Sequence, residues 1–231
     1  MQNFAKLLVF CSFFLAFLTT QAQSQIDLPV TFDVANVNYT MTDFGGTVTT
    51  VTADPTNPAN MVGMTLKDAA AQFWAGTTLG TNGLGFANVI PFTTTNRKMT
   101  VAVYSPVVGA SIKLKVEVAG QSTQSVETDQ LTTVANAWET LTFDFDQPSA
   151  GTAAFNTAYA YDMASIFFDF GNSGTSQTFY FDDVMMATVT GPSQIDLPVT
   201  FDDPTVDYTM TDFGGNSSVL GPDPVNAANT V

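Results

Sequence analysis

The run Ser111 to Val118, SIKLKVEV, alternates Ile112, Leu114, Val116 and Val118 with Lys113, Lys115 and Glu117. Successive side chains of an extended chain point to opposite faces, so the two lysines and the glutamate share one face while the aliphatic residues point into a core. By the same alternation Tyr104 points out beside the inward Met99, Val101 and Val103. Thr140, Thr142 and Asp144 point out opposite Leu141, Phe143 and Phe145, and Asp169 points out between Phe168 and Phe170. If one sheet holds these strands, Tyr104, Lys113, Lys115, Glu117, Asp144 and Asp169 line a common face. Charged donors and acceptors beside an aromatic plate suit a sugar, whose hydroxyls need paired hydrogen bonds and whose C–H face stacks on a ring. The competing reading is a solvated face whose Lys and Glu make weak cross-strand pairs. Trp74, in the polar and glycine-punctuated stretch Gln72 to Gly80, adds an aromatic platform at the groove edge. Trp138 opens a strongly alternating strand and is expected at the rim of the core.

The elements that must position these residues are strands. Short alternating runs rich in Val, Thr, Phe and Tyr predict strands over Leu28–Asp33, Val37–Phe44, Met61–Lys67, Met99–Ser105, Ser111–Val118, Trp138–Phe145, Ala164–Phe170 and Thr178–Met186. Turn signals such as Gly45-Gly46, Asp54-Pro55, Asn82-Gly83 and Gly171-Asn172 separate them. Strands at this spacing predict an all-β sandwich or barrel. Asp68–Phe73 and the Ala-rich Gly151–Tyr161 are the two places where a short helical turn is expected.

Residues 1–22 read as a secretory signal, with Lys6 as the positive segment, Leu7–Leu18 as the apolar stretch and Thr20-Gln21-Ala22 as the cleavage site. The apolar stretch is too short to span a bilayer of ~30 Å, so a membrane anchor is not expected. Cys11 lies inside it, and with the signal removed the exported chain has neither disulfide nor thiol nucleophile. The chain holds 21 acidic residues, 6 basic residues and no His, a formal net charge of −15. That balance repels nucleic acid and anionic lipid and suits a soluble protein secreted or held at the cell surface. Hydrolases that use His or Cys are excluded. The three glutamates, Glu117, Glu127 and Glu139, show no acid-pair signature of a glycosidase.

The stretch Ser24 to Gly46 returns almost letter for letter from Ser193 to Gly215; Ile26 recurs as Ile195, an offset of 169 residues. A unit of that length is a whole domain rather than a solenoid repeat. The expected organisation is a signal peptide at 1–22, a complete β-sandwich repeat at 24–187, a polar linker at 188–192 and the truncated beginning of a second repeat at 193–231. The second piece is too small to close a sandwich alone.

The segments TNRKMTVAVYSP, SIKLKVEV, AWETLTFDF, ASIFFDFG and FYFDDVMM together resemble the β-jelly-roll carbohydrate-binding modules of secreted bacterial polysaccharide-degrading enzymes, of the kind grouped in families 4, 9, 16 and 22. The resemblance runs from about Ile26 to Met186. It implies an antiparallel β-sandwich of jelly-roll, galactose-binding-like form and a non-catalytic module that binds an extracellular, glucan-like polysaccharide. It also implies a structural calcium ion, whose ligands fall by position on Asp33 near the start of the unit and on Asp182 or Asp183 in its last strand. Oxygen ligands and a cysteine-free exported fold make such an ion chemically reasonable. A monomeric domain in a multidomain chain gains avidity when the unit is repeated. The alternatives are a structural or adhesive surface repeat without sugar binding, and part of a glycoside hydrolase.

Overall fold

The computed structural model describes residues 22–81, 83–188, 199–203 and 205–231. The expected signal peptide up to residue 21, the linker beyond residue 188 and the start of the second copy up to residue 198 lie outside the described residues. Among the described residues the regular elements are all strands: β1 Ser24–Gln25, β2 Val37–Asn38, β3 Met41–Phe44, β4 Thr47–Ala53, β5 Met61–Lys67, β6 Gly76–Leu79, β7 Lys98–Tyr104, β8 Ser111–Val118, β9 Gln121–Leu131, β10 Trp138–Asp144, β11 Met163–Phe167 and β12 Gln177–Met186. They form two five-stranded sheets, in the orders β10-β7-β12-β5-β4 and β3-β6-β11-β8-β9, with a small parallel pair β1-β2. Every pairing within the two large sheets is antiparallel. The architecture is an antiparallel β-sandwich.

Alternation built this core. Met99, Val101 and Val103 from β7, Ile112, Leu114 and Val116 from β8, and Phe179 and Phe181 from β12 are fully buried together with Phe143, Phe145 and Phe168. Each such side chain contributes about 1.5–3 kcal/mol on leaving water. The fit is tight where the rings are largest: a Cβ on Gly63 in β5 would overlap the ring of Phe181. The two sheets are also tied by charge. Lys67, at the end of β5 and fully buried, donates to the carbonyls of Phe168 at 2.9 Å, Asp169 at 2.8 Å and Asn172 at 2.7 Å. Three acceptors satisfy the three donors of one ammonium. Burial pushes this ammonium below the ordinary lysine value, and the charge of Asp169 works in the other direction.

Three expectations are corrected. Leu28–Asp33 is not a regular strand: only Val30 pairs, exchanging hydrogen bonds with Val184, because Pro29 has no N–H to donate and Phe32 takes a left-handed φ of 58°. Neither Asp68–Phe73 nor Gly151–Tyr161 is helical; both are turns and irregular chain. Strands β4, β6 and β9 were not expected. β4 and β9 are sheet edges whose sequences, TVTTVTA and QSTQSVETDQL, bury too little to alternate, and β6 has only four residues.

The second copy repeats local chemistry. The Thr230 N–H donates to Asp202 at 2.9 Å as the Met61 N–H donates to Asp33 at 2.9 Å. The rings of Phe201 and Tyr208 stand 5.2 Å apart, as do those of Phe32 and Tyr39. An isolated bridge joins Pro222 to Thr230 where β4 and β5 pair Ala53 with Met61.

Candidate functional site

The outer face of the β3-β6-β11-β8-β9 sheet carries the residues of SIKLKVEV and two transverse rows fixed by register. One row reads Thr42, Thr78, Ser165, Lys115, Glu127, and the next reads Phe44, Gly76, Phe167, Lys113, Asp129. Five strands at ~4.8 Å spacing make each row about 19 Å long. The first row is hydroxyl-bearing and charged, with the Thr78 and Ser165 hydroxyls 2.7 Å apart. The second is aromatic at one end and ionic at the other.

Lys113 and Glu117 point away from the core yet are 3% and 6% exposed. Outward residues this covered are packed against their own neighbours. Segment 149–162 closes one side, where the Ser149 N–H donates to the Glu127 carbonyl at 2.8 Å and the Asp162 N–H to that of Glu117 at 3.1 Å. A covered lysine needs partners. The ammonium of Lys113 lies 3.4 Å from Glu127, 3.8 Å from Asp129 and 4.4 Å above the ring of Phe170. Lys115 donates to Glu117 at 2.6 Å.

The other end of the face is an aromatic edge. Trp74 stacks on Phe44 with ring centroids 6.3 Å apart and planes 13° apart, Phe44 meets Phe167 edge-on at 5.2 Å, and Phe167 meets Phe170 at 5.7 Å. Gly76 lies between Phe44 and Phe167 in the row, and a Cβ there would come 2.8 Å from the Phe44 ring. Trp74 remains 42% exposed, so its free face is available to a ligand. The loop presenting it is held by a hydrogen bond from the Gln72 N–H to the Gly45 carbonyl at 2.7 Å and from the Gly171 N–H to the Phe73 carbonyl at 2.9 Å. Gly45 has φ 68°, and a Cβ there would meet the Ala75 backbone at 2.8 Å.

Lys113, Lys115 and Glu117 therefore come together on one face with Trp74 at its edge. Tyr104 and Asp144 do not join them. Their strands β7 and β10 pair with each other and with β12, not with β8, which places both residues on the opposite sheet. There Tyr104 packs edge-on between Trp138 at 5.8 Å and Tyr180 at 5.7 Å, and Asp144 pairs with Lys98 at 3.0 Å. Trp138 is half-buried on that outer face, its indole N–H donating to Asp54 at 3.0 Å.

Asp169 follows the end of β11 with φ 48°, and its carboxylate accepts from the Asn172 amide at 2.7 Å. The left-handed residue breaks the alternation and delivers Phe170 to the outer side, beneath Lys113, instead of to the core. Sequence reasoning missed Phe44, Phe167 and Phe170 as well as Thr42, Thr78, Ser165 and Glu127. For Phe167 the signal was present, since its neighbour Phe168 belongs to the core.

Asp33, Asp182 and Asp183 lie at one end of the opposite sheet. Asp183, with φ 49°, follows Asp182 where the β12-β7 register shifts, and Asp182 accepts from the Asn60 amide at 3.0 Å and from the Asp183 N–H at 2.8 Å. Burial raises the Asp182 carboxyl to about 6; the hydrogen bonds from Asn60 and Asp183 oppose the rise, and the negative charges of Asp183 and Asp33 add to it. The acids thus sense one another, but among the described residues no three acidic side chains converge as a metal cage. Among the described residues no helix is long and apolar enough to cross a membrane.

No family model matches the chain, and no curated protein matches it. Solved structures do resemble it. The family 11 carbohydrate-binding module of the cellulosomal cellulase Lic26A-Cel5E of Clostridium thermocellum aligns at a TM-score of 0.44 and 12% identity, over 72% of this chain and 97% of that one. The family 30 module of the cellulosomal cellulase Cel9D-Cel44B of the same organism aligns at 0.44 and 9%, over 71% and 95%. An exo-beta-agarase aligns at 0.47 and 7%, over 68% of this chain and 24% of its own.

Proposed function

We propose that this chain is a non-catalytic module that binds an extracellular, glucan-like polysaccharide along the outer face of the β3-β6-β11-β8-β9 sheet. The observation that carries the reading is the pairing of two parallel rows on one outer surface: hydroxyls and lysine–carboxylate pairs in register, and an aromatic edge ending at the exposed Trp74. The aromatic edge takes the C–H face of a sugar ring, and the polar row exchanges hydrogen bonds with its hydroxyls.

Catalysis is not part of the proposal. Glu117 and Glu127 are each held by a lysine, whereas a glycosidase acid needs an environment that keeps it protonated. Secretion or surface display and avidity from the repeated unit belong to the same reading, which rests there on the leader-like N-terminus and the 169-residue offset. A calcium ion with Asp33, Asp182 and Asp183 among its ligands is retained as a proposal on one observation, the covered and negatively surrounded carboxylate of Asp182. Affinity electrophoresis of the protein through gels containing mixed-linkage glucan, xylan, xyloglucan or agarose tests the binding. Retardation in at least one gel is expected; unhindered migration in all of them points to a structural spacer.

A further inference from the structure

The two copies of the repeated stretch sit in unequal environments. Residues 30–53 run along the open side of the sandwich: β3 ends one large sheet and pairs with β6 alone, and β4 ends the other and pairs with β5 alone. Ahead of them Val30 is held by a single bridge to Val184. This segment can leave as a unit without parting any two other strands, the kind of sub-global opening that folded domains undergo. It joins β5 through residues 55–59, all of them exposed, so the chain has room to turn outward there. The seat it vacates is shaped to particular side chains. Val30 and Phe32 are buried in the core, Phe32 edge-on to Phe181 at 5.4 Å, and Val37, Tyr39, Met41 and Val51 pack against that core.

Residues 199–222 carry the same side chains at the same spacing. Val199, Phe201, Val206, Tyr208 and Met210 recur 169 residues after Val30, Phe32, Val37, Tyr39 and Met41, and Leu220 stands in the place of Val51. Between 30–46 and 199–215 the differences fall at Val34, Ala35, Asn36 and Asn38; the first three are exposed and the last is half-covered, so the seat hardly reads them. The poorest match is Asn216 for the buried Thr47, whose hydroxyl donates to the Gly76 carbonyl. Val199 is 36% exposed where Val30 is fully buried, and Phe213 and Leu220 are exposed where Phe44 and Val51 are half-covered. Seating the second copy would take that apolar surface out of water. Chain length works in the same direction. Val199 lies 15 residues from Val184 and Val30 lies 154 away, and the shorter loop costs less entropy to close. The short connection also holds this copy at a higher effective concentration near the seat than a separate molecule reaches.

We propose that the open side of the sandwich is a seat for either copy: residues 199–222 exchange with residues 30–53 of the same chain, pairing Val199 with Val184 and releasing the N-terminal copy. Thr42 and Phe44 recur as Thr211 and Phe213, so either copy restores the β3 position, and the exchange does not depend on the groove binding sugar. The test is thermal unfolding of the whole chain carrying Val30→Asp, Val199→Asp or both. Each single variant is expected to keep a cooperative transition, because one intact copy remains to fill the seat, and the combined variant is expected to lose it. Loss of the transition in Val30→Asp alone overturns the proposal, as does a combined variant that unfolds no differently from Val30→Asp. Survival of Val30→Asp should be independent of protein concentration, with a monomer by light scattering; survival that fades on dilution means exchange between molecules and overturns the same-chain pairing. In a chain carrying Cys11→Ser and Val30→Asp, the pair Val184→Cys and Val199→Cys should form a disulfide on oxidation. Its failure to form in a variant that still folds overturns the proposed register.

Discussion

The two outer faces of the sandwich carry similar residue types and use them differently. On the β3-β6-β11-β8-β9 face the acids are matched by cations, Glu117 with Lys115 and Glu127 and Asp129 with Lys113, and the aromatic edge ends at a tryptophan open to solvent. On the β10-β7-β12-β5-β4 face the aromatics Trp138, Tyr104 and Tyr180 meet edge-on in one transverse row, and Asp182 sits among other acids. The first face leaves stacking surface open; the second packs its rings against one another. Residue type therefore does not mark the proposed binding face. What distinguishes the two is whether the aromatic rings have already been packed against one another within the fold.

Lys67 joins the two faces, and replacing it should have the largest effect. Lys67→Met leaves the Phe168, Asp169 and Asn172 carbonyls without their donor and frees the segment that presents Phe170. A loss on the order of 3 kcal/mol is expected, since each buried acceptor left without a donor costs about 1–3 kcal/mol, or roughly 10 °C in Tm. Thermal unfolding measures it. An unchanged Tm would mean that the two sheets hold together without this tie.

Next in size is Trp74→Ala. The side chain is exposed and stacks on Phe44 alone, so folding should change little while polysaccharide retardation falls about tenfold, the equivalent of ~1.4 kcal/mol. Tyr104→Ala should do the reverse. Removing the ring between Trp138 and Tyr180 should destabilise the sandwich by about 1–2 kcal/mol and leave retardation within about twofold. If Tyr104→Ala weakens retention more than Trp74→Ala does, the faces have been assigned the wrong way round.

Much of this contrast was legible in the sequence, and the reason it was not all legible is topological. Alternation correctly sent Ile112, Leu114 and Val116 inward and Lys113, Lys115 and Glu117 outward, because side-chain direction is a property of one strand. Whether Tyr104 and Lys113 share a face depends on which strands pair, and nothing within either segment states that β7 neighbours β12. The edge strands β4 and β9 were hidden because half-solvated edges do not need an apolar side. Asp169 shows a third limit: a single left-handed residue inverts the phase that alternation assumes and moves Phe170 from the core to the groove. Turn chemistry is the most local level and the most readable, since Asp202, the Phe201–Tyr208 pair and the Pro222–Thr230 bridge reproduce the contacts of Asp33, Phe32–Tyr39 and Ala53–Met61 with Phe213 82% exposed where its counterpart Phe44 is half-buried.

The smallest expected effect concerns the acids of the opposite face. In the absence of divalent cations the Asp182 carboxyl titrates near 6 in the folded protein and near its ordinary 3.8 when unfolded. The folded state then binds the proton more tightly, so this group's contribution to stability is fully present below pH 3.8 and is lost as the pH rises through about 6. With chelator present, wild-type Tm should therefore decline over that window relative to Asp182→Asn, by roughly 1–3 °C given partial solvent screening. The proposed cation among Asp33, Asp182 and Asp183 would do at neutral pH what the proton does in acid. Excess calcium should accordingly close the gap above pH 6 in the wild type and leave Asp182→Asn unmoved. Parallel curves for the two proteins, in chelator and in calcium alike, would show that the acids of this face are as well compensated as those of the groove.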